Sequence, residues 1–140
     1  MSDTVLIIDD NDDFREILSM ILLDAGYIVI DANCPQEAFT TLKNENVDAI
    51  ICDLNMPFCE GPRSEEFLRS KEVGIKTIQE LGWVFPFKPI ICVSAATKSD
   101  LDEVAKELGD IPILTKPFPS KSILMQLETS LSEKYFDVVQ

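Results

Sequence analysis

The sequence predicts an α/β protein, a doubly wound five-stranded parallel sheet with helices on both faces. Five short apolar runs rich in β-branched residues read as strands, and segments with apolar residues three and four apart read as helices between them. Glycine or proline stands at most of the joints. Strictly alternating strands and helices require crossover connections, which run right-handed and cover both sides of a parallel sheet.

The first strand is Val5, Leu6, Ile7 and Ile8, ending at the pair Asp9 and Asp10. Phe14, Ile17, Leu18, Ile21, Leu22 and Ala25 then form an amphipathic helix that Gly26 stops. Residues 27–31 are a short strand, and Pro35 opens a second helix with Ala38, Phe39 and Leu42 inward. Residues 49–52 form the central strand, an apolar run buried on both faces and delivering Asp53 at its carboxyl end. A fourth strand covers 89–93 and leads into Ser94. A helix then starts at Ser99, carries Val104, Ala105 and Leu108, and stops at Gly109. Residues 112–115 are a fifth strand with proline first, running into Lys116, Pro117 and Phe118. The last helix, from about Ser120, sets Ile123, Leu124, Leu127 and Leu131 on one face, and 135–140 reads as a frayed tail.

All 140 residues read as a single domain, with 46% hydrophobic content for one core. Between 58 and 87 the chain supplies more residues than one crossover needs. Residues 74–81 are the expected crossover helix, and 58–73 read as an inserted segment beside the Asp53 crevice. Trp83, Phe85 and Phe87 read first as packing residues.

A formal charge of −13, with 12 basic against 25 acidic residues, argues against direct nucleic-acid binding, which depends on Lys and Arg neutralising phosphates. The first residues lack a basic leader and no apolar run is long enough to span a bilayer, so no membrane role and a cytoplasmic location are expected. Cys34, Cys52, Cys59 and Cys92 form no C-x-x-C pair, which speaks against a zinc knuckle or a thioredoxin-type site. Cys52 and Cys92 lie in strand runs as small core residues.

Function concentrates at one sheet edge. In an open parallel sheet the carboxyl ends of the strands line the ligand crevice. Asp9, Asp10 and Asp53 converge there, and carboxylates so close repel unless a cation intervenes. A hard divalent ion fits, Mg²⁺ best, because it takes one or two protein carboxylates, keeps waters and leaves room for a phosphoryl oxygen. Lys116 and Ser94, at two further strand ends, add a positive charge and a hydroxyl donor. The set suits phosphoryl transfer to the Asp53 carboxylate, which needs positioning and charge neutralisation but no base. The chain has no histidine.

Residues 5–11, 53–57, Ser94-Ala95 and 115–118 together resemble the signatures of the response-regulator receiver domain of two-component signalling, over about residues 4–132. The resemblance implies Asp53 as phosphoacceptor, Asp10 as a direct Mg²⁺ ligand, Asp9 acting through water and Asn55 lending its backbone carbonyl. It implies that Lys116 pairs with the phosphoryl group and that Ser94 swings in to hydrogen-bond it. It further implies a cis peptide between Lys116 and Pro117, the strand order 2-1-3-4-5, and a histidine kinase or histidine phosphotransfer protein as donor. An output protein would dock near the fourth helix, fifth strand and fifth helix. The protein would then be a signalling switch, not an enzyme, acting only on its own phosphorylation state. Two departures stand out: Ile113 occupies a position commonly aromatic, and the insertion follows Pro57. They keep open a phosphorylation-independent docking module. An aspartate-nucleophile phosphohydrolase is the more distant alternative, because its D-x-D pattern belongs on a first strand and Asp53-Leu54-Asn55 lies on the third.

Asp9 and Asp10 also admit a plainer role as helix caps. Ser94 admits one as a small strand-end residue, Asn55 as a turn residue, and Lys116 alone as a surface lysine.

Overall fold

A computed structural model describes residues 2–54, 71–95 and 98–139. Its strands are β1 (Thr4–Ile8), β2 (Ile28–Ala32), β3 (Ala49–Asp53), β4 (Ile90–Ser94) and β5 (Ile113–Thr115). Its helices are α1 (Asp12–Asp24), α2 (Pro35–Asn44), α3 (Lys71–Val84), α4 (Lys98–Leu108) and α5 (Ser120–Val139). All five strands pair in parallel in the order β2-β1-β3-β4-β5, the doubly wound arrangement.

Side chains alternate across the strands, so the sheet builds two cores. Val5, Ile7, Ala49, Ile51, Ile91 and Val93 face α1 and α5, where Leu18, Leu22, Ile123, Leu127 and Leu131 meet them. Leu6, Ile8, Ile50 and Cys52 face the other way, onto Ala38 and Leu42 of α2, Ile75, Ile78 and Leu81 of α3, and Val104 and Leu108 of α4. Because β1, β3 and β4 are covered on both sides, their sequences are continuous apolar runs rather than alternating ones.

Helix ends follow local chemistry. Asn11 caps α1, its side chain accepting from the Phe14 N–H at 2.9 Å, so neither Asp9 nor Asp10 serves as the cap. After α1, Gly26 at φ 98° turns the chain, while the Tyr27 N–H returns to the Leu22 carbonyl at 3.0 Å.

Several expectations shift. α3 begins at Lys71, three residues before the expected start, because helix continues back into the stretch read as insertion. The expectations for Asn55, Cys59 and residues 58–70 lie outside the described residues. The expected tail at 135–140 is helical as far as Val139, since nothing in its composition ends the helix. Ile17, read as inward, is 58% exposed. Trp83 and Phe87 are also exposed, and among the three aromatics only Phe85 packs on the core, its ring 6.4 Å from that of Phe39. Cys52 and Cys92 are free buried thiols, register partners on β3 and β4, whereas Cys34 at the start of α2 is disulfide-bonded.

Candidate functional site

The sheet's hydrogen-bond ladder places the site. Each of three strands is extended by one more ladder bond at its carboxyl end, and each bond pins a residue of the site or its neighbour. The Asp9 N–H donates to the Ala32 carbonyl at 3.1 Å, the Leu54 N–H to that of Val93 at 2.9 Å, and the Lys116 N–H to that of Ser94 at 2.7 Å. The register pairs Ile8 with Cys52, so Asp9 and Asp53 follow as neighbours on adjacent strands.

Asp9, Asp10 and Asp53 come together there, with one carboxylate oxygen from each lying within 4.8 Å of the others. Asp9 is fully buried and Asp53 nearly so. Asp9 already holds two donors: Asn11 N–H at 2.9 Å on Oδ1 and Lys116 Nζ at 2.8 Å on Oδ2. The same ammonium stands 3.7 Å from Asp53 Oδ2. Among the described residues the Lys116 ammonium meets two of the three carboxylates in a partly desolvated cleft, and a further cation there would relieve their mutual repulsion. The donor set is all oxygen, the kind hard divalent ions take, so these residues fit a Mg²⁺-sized ion.

The lysine has a third neighbour. Its Nζ lies 3.9 Å from the centroid of the Phe14 ring, and Phe14 meets Phe118 edge-to-face at 6.0 Å. Phe14 and Phe118 open onto a cavity of about 460 Å³ between α1 and the segment after β5, lined also by Ile17, Ile21 and Pro117. Lys116 and Pro117 are joined by a cis peptide bond, as expected.

Arg15 braces the acidic corner from below. Its guanidinium donates to the Asp9 main-chain carbonyl at 2.7 Å, to Asp12 at 2.6 Å and to Asp31 at 3.3 Å, tying β1, α1 and β2 together. Sequence reasoning missed Arg15 and Phe14. An arginine six residues after a strand-end aspartate was the available signal for the first. For Phe14 the helical period explained the residue too well to suggest a second role.

Ser94 is buried at the same edge, paired in register with Thr115. Ile113 pairs with Cys92 and is partly buried against the core. Among the described residues no buried side-chain nitrogen or oxygen lacks a partner, and no helix is long and apolar enough to cross a membrane.

Comparison with known proteins adds an independent line. The family model described as response regulator receiver domain matches residues 5–128. A response regulator receiver protein of Anaeromyxobacter is 31% identical over 119 residues, covering 85% of this chain and 44% of its own length. The phosphate regulon transcriptional regulatory protein PhoB of Pseudomonas aeruginosa is 27% identical over 128 residues, 91% of this chain and 51% of that protein. The CAI-1 autoinducer sensor kinase/phosphatase CqsS of Vibrio cholerae matches at 26% over 80% of this chain and 16% of its own. The chain therefore spans about half or less of these relatives. Among solved structures, a CheY-like receiver domain protein from Methanospirillum hungatei superposes with a TM-score of 0.80 at 18% identity, over 98% of this chain and 99% of that one. Chemotaxis protein CheY4 of Vibrio cholerae gives 0.75 at 26% identity, over 93% and 99%.

Proposed function

The chain belongs to the response-regulator receiver family of two-component signalling, and from that premise we propose that it accepts a phosphoryl group on Asp53 from a partner's phosphohistidine. The observation that carries the reading is the meeting of Asp53, Asp9, Asp10 and the Lys116 ammonium at one strand edge. An ionised Asp53 carboxylate is a nucleophile with no proton to remove, so the missing histidine is supplied by the donor rather than needed in the acceptor.

Asp10 and Asp53 would hold Mg²⁺ directly in this reading and Asp9 through water, because Asn11 and Lys116 already occupy its oxygens. The backbone carbonyl of Asn55, which lies outside the described residues, would complete the protein's ligands as the family resemblance implies. Bound there, Mg²⁺ would neutralise charge on the phosphoryl oxygens. Lys116 meets the transferred group from the other side, and Ser94 hydrogen-bonds it once it is attached. The protein is then a cytoplasmic switch and not a turnover enzyme. Its modification shifts a two-state equilibrium read by an output protein at α4, β5 and α5, with a histidine kinase or histidine phosphotransfer protein upstream.

Incubation with Mg²⁺ and a small acyl phosphate, followed by intact mass, tests this. One phosphoryl group should be gained by the wild type and by a variant of an exposed aspartate such as Asp24→Asn, and lost in Asp53→Asn. No gain at saturating donor would leave a docking module that works without phosphate.

A further inference from the structure

Charge alone does not specify where the Lys116 ammonium sits. Coulomb attraction falls slowly with distance and has little direction, so an ammonium among three carboxylates has several seats of similar energy. The observed one is asymmetric, 2.8 Å from Asp9 and 3.7 Å from Asp53.

A ring face is a different kind of partner. The negative face of an aromatic ring attracts a cation along its normal, and the attraction grows where water is excluded. Phe14 is rigidly presented: its N–H is held by the Asn11 cap, and its ring is braced by Phe118 at an interplanar angle of 86°. Phe118 lies two residues beyond Lys116, so the brace and the lysine arrive on the same segment. The ammonium is thereby located by Asp9, Asp53 and a fixed ring face.

We infer that Phe14 is a positioning residue for Lys116, its ring face holding the ammonium in the one seat from which it bonds Asp9 and still faces Asp53. The consequence for phosphoryl transfer rests on the phosphoacceptor role proposed above. A cation already in place when the phosphoryl oxygens arrive needs little reorganisation, whereas a wandering one must be brought back. Replacing the ring by an aliphatic side chain should slow phosphorylation roughly three- to thirty-fold, the range that a cation–π contact spans.

Two readouts test the inference. In ¹³C-labelled protein without metal, the Lys116 ε-methylene protons, assigned by their loss in Lys116→Met, should be shifted upfield by the Phe14 ring. The shift should vanish in Phe14→Leu, which keeps apolar bulk in the groove, and persist in Phe14→Tyr. With Mg²⁺ and acetyl phosphate, Phe14→Leu should be slowed and Phe14→Tyr should recover the wild-type rate, while Phe14→Leu should add no further loss in the Lys116→Met background. An unshifted lysine signal, an unslowed Phe14→Leu, or an equal slowing with and without Lys116 would each overturn the inference. If the wild type takes up no phosphoryl group, the phosphoacceptor reading fails, and the ring-current comparison still decides whether Phe14 seats the ammonium.

Discussion

Gly74 of α3 packs directly on the main chain of Leu54, the residue after Asp53, so closely that a Cβ at position 74 would overlap the Leu54 carbonyl. The helix and the site-bearing end of β3 are therefore in backbone contact, and only glycine permits it. Gly74→Ala should destabilise the protein by about 1–3 kcal/mol, the usual cost of overpacking, despite alanine's better helix propensity. A Cβ added to Gly82, on the same helix, would meet the Ile90 side chain at an ordinary 3.9 Å and no other atom of the described residues within 4 Å. Gly82→Ala should accordingly be neutral or stabilising by up to about 1 kcal/mol. Urea midpoints of the two variants settle the matter, and similar behaviour of both would show that the Leu54 contact is unimportant.

The acidic cluster should be a source of instability until a cation enters. Asp10→Asn removes one of three mutually repelling carboxylates, so it should raise the melting temperature in chelator. Added Mg²⁺ should stabilise the wild type by about 1.4 kcal/mol at ten times its dissociation constant, and the variant by much less. Thermal melts across a Mg²⁺ series check both halves. Equal responses of the two proteins would remove Asp10 from the ligand set.

Arg15 bridges three oxygen acceptors with a planar fork that lysine cannot reproduce. Arg15→Lys should lower stability by about 1 kcal/mol and weaken Mg²⁺ binding, because the Asp9 carbonyl loses its donor and the β1 end loosens. Calorimetric titration alongside urea unfolding measures both. Loss of stability with unchanged Mg²⁺ affinity would confine Arg15 to the scaffold.

Alkaline sensitivity is expected from the sheet's two thiols. Burial pushes the Cys92 thiol up to about 12 and the Cys52 thiol well above its ordinary value. Well below the ordinary thiol pKa, at about pH 7, both thiols are protonated in the folded and the unfolded chain alike. As pH rises through the ordinary thiol range the unfolded chain releases protons that the folded chain retains, so both thiols make stability fall from about pH 8 upward, the Cys92 contribution levelling off near pH 12. The decline should be shallower in a Cys52→Ala/Cys92→Ala protein, read as unfolding free energy against pH. Parallel declines would exclude the thiols as its cause.

Much of this was readable along the chain. β3 and β4 are apolar throughout because both faces are covered, and that continuity, with the intervening helical period, carried the parallel sheet. Asp9, Asp10, Asp53, Ser94 and Lys116 could be grouped because parallel strands all deliver their ends to one edge. Ile17 misled because it satisfies the helical spacing while sitting at the margin of the α1 stripe, above the cavity. Phe14 and Arg15 were invisible as site residues because a helical period says which face a residue is on, not what lies across from it.

By itself the sequence determined the order of elements, their helical or extended character and the sheet edge at which the acids gather, since these follow from local periodicity and chain direction. Only the tertiary structure decided that Lys116 leans on Asp9 more closely than on Asp53, that Phe14 lies under it, and that Gly74 touches Leu54. Those relations join residues distant in the chain, and they depend on distances of an ångström or less that packing, not pattern, sets.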